Sequence, residues 1–353
     1  MALTPLDTAS VAGKVEAPSG PTFLISPRAN NSVIAVNRIL KQGGEVARTR
    51  EALSAGGETF PPGTFVVSRG LSPQAAAALA KDTGLTIVGT ATPVGAKTIA
   101  LRAPRVALCK SWTAQMDEEW TRFLFEQFEF PFTSVQDADI RAGNLETRYD
   151  VLVIPSMSTD AVVDGLKVGT VPPQYSGGVT ANGVRNIKTF VEAGGTLVVL
   201  NQATLFGLDR LGLPVVDALK DVKPPDRRDG NEAKVVEFAC PGSVLRMKFD
   251  VTHPVAYGMP AEAPGMFISS PAFRLTPSFG DGRAPPIAPY PGEGILTSGY
   301  LKGEKYLKNT VAAAEVLLGK GRLILLGFVV EQRGQPHGTF KLPFNALYYG
   351  AAR

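Results

Sequence analysis

The chain has 353 residues, of which 44% are hydrophobic, and its mean hydropathy of +0.06 is typical of a soluble globular protein long enough for two domains. Its net charge is +4, but the basic residues are interleaved with 32 acids and form no basic helix or stripe, which argues against a nucleic-acid-binding protein. No apolar run of about 18 residues occurs, so the sequence predicts no membrane span.

Two cysteines are present, Cys109 and Cys240. Cys109 ends the apolar run 106–109, where a buried free thiol that behaves as a small hydrophobe is the expected state. The sequence leaves open a disulfide between the two cysteines, and it therefore does not fix the redox compartment.

The first part of the chain has the pattern of a small α/β domain. Residues 1–18 have the composition of a linker or an edge strand, and apolar runs alternate with helical patterns over 19–103. Predicted strands lie at 23–26, 45–48, 63–67 and 85–88, and predicted helices at 33–40 and 74–81. We expect the domain boundary near residue 103.

A second, larger α/β domain is predicted over 104–353. It begins with a strand at 105–109, and the helix that follows carries three acids in its first turn, where the helix dipole favours them. Further predicted elements are this helix at 116–130 and strands at 132–135 and 149–155. A loop rich in Gly, Pro and Ser covers 156–182, and a structureless loop of that length is usually functional or mobile.

The centre of the larger domain is predicted at 183–206. Apolar residues at helical spacing end at Gly194 and Gly195, and an uninterrupted apolar strand follows at 196–200. Such a strand is usually covered on both faces, which indicates a mainly parallel sheet. Asn201 stands at the carboxyl end of this strand, where a nucleophile would stand on a strand-to-helix elbow. An amide is not a nucleophile, so Asn201 argues against enzymatic activity.

The pattern changes after residue 208. A charged, proline-broken segment at 221–232 and a second proline-rich segment at 271–291 bracket a predicted β-rich, antiparallel insertion over about 221–292. We predict strands at 235–239, 244–249, 294–300, 313–318 and 322–328, and a final helix at 339–349. The turn at 319–321 makes the last two strands a hairpin.

The order of these elements resembles a class I glutamine amidotransferase-like, flavodoxin-like domain. Three stretches also resemble the non-catalytic C-terminal region of bacterial zinc carboxypeptidase-like proteins of the carboxypeptidase A family. They are residues 110–112 with 116–122, the segment 190–201 (FVEAGGTLVVLN), and 327–342, which includes RGQPHGTFKL. The likeness extends over nearly the whole chain, including the small first domain.

This resemblance implies a partner domain, a cofactor held by that domain, and a cellular location. The family binds zinc through a His-x-x-Glu pair and a distant third His, but the two histidines here, His253 and His337, have no glutamate three residues on. We therefore expect no metal in this chain and zinc only in a separate peptidase domain of the same parent protein. The resemblance also implies a secreted or periplasmic location.

Two residues are weak catalytic candidates. His337 follows the last core strand, where an amidotransferase-type histidine would lie, but Asn201 holds the nucleophile position. Cys240 sits in a turn before Pro241 and Gly242, with no helix N-terminus to lower its pKa. We also weigh His253 with Asp250 as a metal pair against a rigid His-Pro loop that is held by local hydrogen bonds.

A ligand groove is predicted at the carboxyl edge of the larger sheet. Glycine-rich spots in the chain lack the frame of a nucleotide-binding motif. Aromatic and amide side chains stack on and hydrogen-bond to sugars and peptides. The residues that we expect there are Trp112, Tyr175, Asn201, Gln202, Arg333, Gln335 and His337.

The sequence thus predicts a non-catalytic binding or scaffolding region, a degenerate amidotransferase-like fold that holds a peptide or carbohydrate or positions a peptidase domain. The alternative is a stand-alone hydrolase that uses Cys240 or a site centred on His337. A third reading is a structural dimerisation module, and the oligomeric state stays open.

Overall fold

The computed structural model describes residues 12–17, 20–91, 95–222, 236–275 and 284–352. The chain divides into two compact units. The first contains the described part of 1–103 with 128–130 and 352, and the second contains 104–127 and 131–351. Each unit is described by itself. Within the described residues, no helix is both long and apolar enough to cross a membrane.

The first unit is built on a six-stranded sheet in the order β1-β7-β2-β6-β3-β8. Strand β1 pairs parallel to β7 at the edge, and the other neighbours are antiparallel. The elements are β1 (Lys14–Glu16), β2 (Thr22–Ile25), α1 (Ser32–Lys41), β3 (Glu45–Thr49), the hairpin β4 (Leu53–Ala55) and β5 (Glu58–Phe60), β6 (Phe65–Arg69), α2 (Pro73–Thr83), β7 (Thr86–Thr90) and β8 (Thr98–Leu101). Residues 1–11, which belong to the predicted linker or edge strand, lie outside the described residues.

The second unit contains five parallel strands in the spatial order β10-β9-β11-β12-β20. They are β9 (Val106–Cys109), β10 (Phe132–Val135), β11 (Val151–Ile154), β12 (Thr196–Leu200) and β20 (Gly321–Leu326). Numbered along the chain, this order is 2-1-3-4-5, which is the flavodoxin-like arrangement. The predicted flavodoxin-like, mainly parallel fold is therefore confirmed.

Helices cover both faces of this sheet. As a result, every residue of β11 and β12 is buried. The helices are α3 (Met116–Gln127), α4 (Asp137–Ala142), α5 (Leu145–Arg148), α6 (Thr159–Val163), α7 (Thr180–Glu192), α8 (Thr204–Leu211) and α9 (Lys341–Ala351). Helix α7 ends at the predicted Gly-Gly turn, where Gly194 has φ +120°. A Cβ on Gly195 would lie 2.4 Å from the Phe190 ring, so only glycine lets β12 start this close to the helix.

Antiparallel strands extend the unit beyond β20, as the predicted insertion requires. They are β13 (Val215–Asp217), β14 (Ser243–Lys248), β15 (Glu262–Phe267), β16 (Phe273–Leu275), β17 (Pro286–Pro289), β18 (Leu296–Ser298) and β19 (Val311–Leu318). Strands β19 and β20 form the predicted hairpin, and β15-β14-β18 make a separate three-stranded sheet. The strand predicted at 235–239 is wrong where the structure describes it, because Ala239 makes a single bridge to Lys302. Residues 223–235 and 276–283 of the predicted insertion lie outside the described residues.

Candidate functional site

Asn201 stands on the strand-to-helix elbow directly after β12. Its φ is +43°, in the left-handed region, and its side chain is only 6% exposed. The Thr204 hydroxyl donates to the Asn201 carbonyl oxygen at 2.6 Å and holds the turn into α8. A left-handed backbone here directs the side chain out of the strand, as in a nucleophile elbow. The geometry of an elbow is thus present, but it carries an amide that cannot form a covalent intermediate.

The strand register places one polar residue after each of four neighbouring strands. The paired residues Val135–Cys109 and Ile154–Val199, followed two residues further along each strand, lead to Asp137 beside Ser111 and to Ser156 beside Asn201. The pair Leu108–Val153, followed three residues further, leads to Ser111 beside Ser156. We call Asp137, Ser111, Ser156 and Asn201 the polar row. A hydrogen bond supports this alignment, because the Asn201 amide nitrogen donates to the Ser156 hydroxyl at 3.3 Å.

The first member of the polar row, Asp137, is a buried carboxyl. Burial raises its pKa to about 6, against the opposing effects of the Trp112 backbone N–H, the Arg141 charge and the Ser111 hydroxyl. Cys109 lies beside it, and burial together with the charges of Asp137 and Glu118 raises the pKa of this thiol. Cys109 therefore stays protonated and is a packing residue.

An open pocket of about 280 Å³ adjoins the polar row at the start of α3. It shares Ser111 with the row, and its lining mixes a cation, amide, carboxylates and a thioether. The lining residues are Lys110, Ser111, Ala114, Gln115, Met116, Glu118 and Glu119. A larger pocket of about 570 Å³ lies between α8 and β13.

Two exposed aromatic residues stand next to the smaller pocket. Trp112 follows Ser111 in the chain and is 40% exposed, and Tyr175, from the predicted functional loop, is 36% exposed. Their ring centroids are 4.6 Å apart with an interplanar angle of 69°, so each ring braces the other edge to face.

A second buried carboxyl, Glu331, lies on the chain that leaves β20. It is 2% exposed, and burial, followed by the charge of Asp117, raises its pKa to about 8. The Thr121 hydroxyl lies within donating distance of two acceptors, the Asp117 carbonyl oxygen at 2.8 Å and Glu331 Oε1 at 3.2 Å. Glu331 thus ties the loop after β20 to α3 as a neutral acid.

The other predicted ligand residues lie on loops at the same edge of the sheet. Gln202 donates to the Ser269 carbonyl, Arg333 has φ +53°, and the His337 ring lies 4.8 Å from Phe340. Arg333, Gln335 and His337 are exposed. The contacts described for Gln202 and His337 are with neighbouring protein groups, so their convergence on one ligand stays a prediction.

Cys240 and His253 belong to other parts of the unit. Cys240 is 7% exposed, and burial raises its pKa against a hydrogen bond from Ser243, so it is a poor nucleophile. Both cysteines are free. His253 contacts Glu315, whereas Asp250 accepts from the Thr252 backbone N–H and hydroxyl, as expected of a rigid loop.

Sequence reasoning missed four members of this site, Ser111, Ser156, Asp137 and Glu331. Ser156 and Asp137 each follow a short apolar strand by two residues, which is the signal that singled out Asn201. Glu331 offers no such signal, because its partner Thr121 is 210 residues away in the chain.

Comparison with protein-family models and with curated proteins finds no match to this sequence. Among solved structures, it is similar to a Salmonella typhimurium cytoplasmic protein, STM3548, with 13% identity over 71% of this chain and 99% of that chain, at a TM-score of 0.43. A GMP synthase protein from Thermoplasma acidophilum shares 10% identity over 70% of this chain and 94% of that chain, at a TM-score of 0.42. A ThuA-like protein from Bacteroides uniformis shares 13% identity over 70% of this chain and 89% of that chain, at a TM-score of 0.39.

Proposed function

We propose that the second unit is a non-catalytic binding module whose ligand, a peptide or carbohydrate, lies at the carboxyl edge of the parallel sheet. The observation that carries this proposal is Asn201, an amide on an elbow whose backbone is already in the conformation that a nucleophile needs. A folded elbow without its nucleophile retains the geometry for holding a ligand and lacks the group for covalent catalysis.

The competing function, a hydrolase that uses Cys240 or His337, has less support. The Cys240 thiol is buried with a raised pKa, and His337 packs against Phe340 on an exposed loop. A nucleophile and its base must lie within hydrogen-bonding reach of one another, and the contacts described for these two residues are with other groups.

Thiol labelling separates the two functions. We expect the native protein to react slowly with iodoacetamide at pH 7 because both thiols are buried, whereas the denatured protein should take up one label on each cysteine. Rapid labelling of native protein that Cys240→Ser abolishes, together with a hydrolytic activity that the same variant loses, would contradict a binding module. Cys109→Ser is the matched control.

Binding itself is measured by the fluorescence of the two tryptophans, Trp112 and Trp120, which both lie in the second unit. A ligand at the carboxyl edge should change the emission of exposed Trp112 and protect it from iodide. Trp112→Phe leaves Trp120 as a control chromophore, and its emission should respond much less. A ligand-induced change in emission that persists in Trp112→Phe would show that the binding site lies elsewhere.

We also propose that the chain serves a zinc carboxypeptidase-like protein, secreted or periplasmic, as an accessory region that lies beside its peptidase domain. The support is the resemblance of segments 110–112 with 116–122, 190–201 and 327–342. The reading frame upstream of this sequence tests the proposal. A segment with His-x-x-Glu and a distant third His would support it, and an unrelated segment would contradict it.

A further inference from the structure

We infer that the ligand of the carboxyl edge is a neutral carbohydrate, with one sugar ring in the pocket at the start of α3 and the next against the Trp112–Tyr175 pair. This inference rests on the proposed binding function and names its ligand class. The pocket and the aromatic pair are adjacent because Ser111 lines the pocket and Trp112 is the next residue. A ligand in contact with both must therefore be longer than one ring.

The charges around the pocket favour a neutral ligand. Lys110 and Glu119 contribute opposite charges to the lining, and Glu118 forms an ion pair with Arg122. Three acids in the first turn of α3 compensate the helix dipole, which would otherwise attract an anion to this end. Phosphorylated or acidic ligands are disfavoured, and the lining has no uncompensated block of acids that would select a cation.

The chemistry of the surface matches hydroxyl groups. A sugar hydroxyl both donates and accepts, and the pocket offers carboxylate and amide acceptors together with the donors Lys110 and Gln115. Asn201, at the end of β12, is only 6% exposed, and its Oδ1 has no hydrogen-bond partner among the described residues. A buried amide oxygen of this kind is a ready acceptor for a ligand hydroxyl when the edge is occupied.

An extended peptide fits the same surface less well. Peptides that bind to sheets pair with the free flank of an edge strand, which on this side of the sheet is β10, whereas Ser111 and Trp112 follow β9, an interior strand. The edge instead offers the ends of side chains and an aromatic surface, with Trp112 and Tyr175 held at 69° to one another. The pocket volume of about 280 Å³ is small for a drug-sized ligand and suits a single ring.

The test titrates the full chain with neutral disaccharides built from glucose, galactose, mannose or N-acetylglucosamine, and separately with tri-alanine, by calorimetry and tryptophan fluorescence. We expect at least one disaccharide to bind and Trp112→Ala to weaken that binding by roughly 10- to 30-fold. Gln115→Ala, in the pocket, should weaken it by roughly 3- to 10-fold. Tyr300→Ala, an aromatic residue that is 56% exposed outside this site, is the matched control and should bind as the unmodified chain does.

The outcomes distinguish this inference from the function on which it rests. Binding of tri-alanine without any disaccharide, with the same loss in Trp112→Ala, would overturn the carbohydrate ligand and leave the binding module standing. Disaccharide binding that Trp112→Ala leaves unchanged would also overturn the inference, because the sugar would lie elsewhere. Binding of none of these probes at millimolar concentration would count against both.

Discussion

The two ends of the parallel strands in the second unit hold their buried polar groups differently. At the carboxyl end, Asn201 Oδ1, Glu331 Oε2 and Trp120 Nε1 have no hydrogen-bond partner among the described residues. Near the amino end, a comparable group of buried side chains forms one connected network. We call His253, Glu315, Arg322 and Tyr349 the amino-end cluster.

The members of the amino-end cluster contact one another, although Glu315 Oε1 has no hydrogen-bond partner among the described residues. His253 Nδ1 accepts from the Val255 backbone N–H at 3.2 Å, so the ring proton is on Nε2 and is donated to Glu315 at 2.9 Å. The other Glu315 oxygen lies 3.5 Å from Arg322 Nε, and the Arg322 guanidinium lies 4.1 Å from the centre of the Tyr349 ring. Burial, and then the charge of Glu315, raises the pKa of Tyr349 to about 12.

This difference separates architecture from function. A connected network of buried charged and polar groups helps to fix one arrangement of the chain, whereas isolated buried polar atoms without partners cost stability and call for another explanation. A residue such as His253, which sequence reasoning weighed as a metal ligand, is committed to the fold. The unpaired groups of the carboxyl edge are those that remain for a ligand.

The largest effect on stability should come from the amino-end cluster. Glu315→Ala removes the partner of both His253 and Arg322 from a buried site, and we expect it to lower the free energy of unfolding by about 3 kcal/mol. Urea unfolding followed by tryptophan fluorescence measures it. Glu262→Ala breaks the exposed pair with Arg246 and should cost less than about 1 kcal/mol. Equal losses in the two variants would contradict the structural role of the cluster.

The next effect is a change in the pH dependence of stability. The pKa of Glu331 rises from 4.5 to about 8 on folding. Its contribution to the free energy of unfolding is therefore complete below pH 4.5 and is lost as pH rises to about 8. Glu331→Gln has no proton to release in this range. In this variant the free energy of unfolding should lose a pH dependence of up to about 1.4 kcal/mol per pH unit.

Urea unfolding between about pH 6.5 and pH 8 tests this difference, because the pKa of Asp137 is about 6 and its own contribution is largely lost below that range. Glu119→Gln changes an exposed residue of α3, the helix that Glu331 contacts. It is the control, and its free energy of unfolding should depend on pH as that of the unmodified chain does. A Glu331→Gln variant with that same pH dependence would show that Glu331 is already ionised in the folded protein.

A smaller effect is expected at the elbow. Asn201→Ala places an alanine at φ +43° and removes the hydrogen bond to Ser156, which should cost about 1 to 2 kcal/mol. Asn201→Gly relieves the backbone and should stay within about 1 kcal/mol of the unmodified chain while it still loses the amide. Ligand binding should weaken in both variants. Binding that is retained in Asn201→Gly would show that the amide has no part in the site.

The smallest effect on stability should be that of Trp112→Ala. Trp112 is 40% exposed and contacts Tyr175 edge to face, so we expect a loss of about 1 kcal/mol. Thermal unfolding measures it. A loss of several kcal/mol would mean that Trp112 is a structural residue, and its effect on binding would then lose its meaning.

Much of the fold could be predicted because its signals are local. The apolar run 196–200 and the glycines at 194 and 195 define a helix, a turn and a buried strand without reference to the rest of the chain. The strand at 235–239 failed for the same reason. Its residues alternate as a strand does, but the fold offers a partner only at Ala239 in the described part of that segment.

The candidate site was less accessible to the sequence. Asn201 could be found because it follows a recognisable strand, but the polar row depends on the register of four strands, which the sequence does not specify. Glu331 becomes a neutral acid because burial, and then the charge of Asp117, raises its pKa, and Asp117 is far away in the chain. Long-range pairs of this kind are visible only after folding.

A crystal structure of the full chain with the tightest-binding disaccharide tests the carboxyl-edge site most directly. We expect one ring in the pocket beside Ser111, the second against Trp112, and a sugar hydroxyl that donates to Asn201 Oδ1. A sugar bound in the pocket between α8 and β13, or an Asn201 Oδ1 that remains unpaired in the complex, would contradict this binding site.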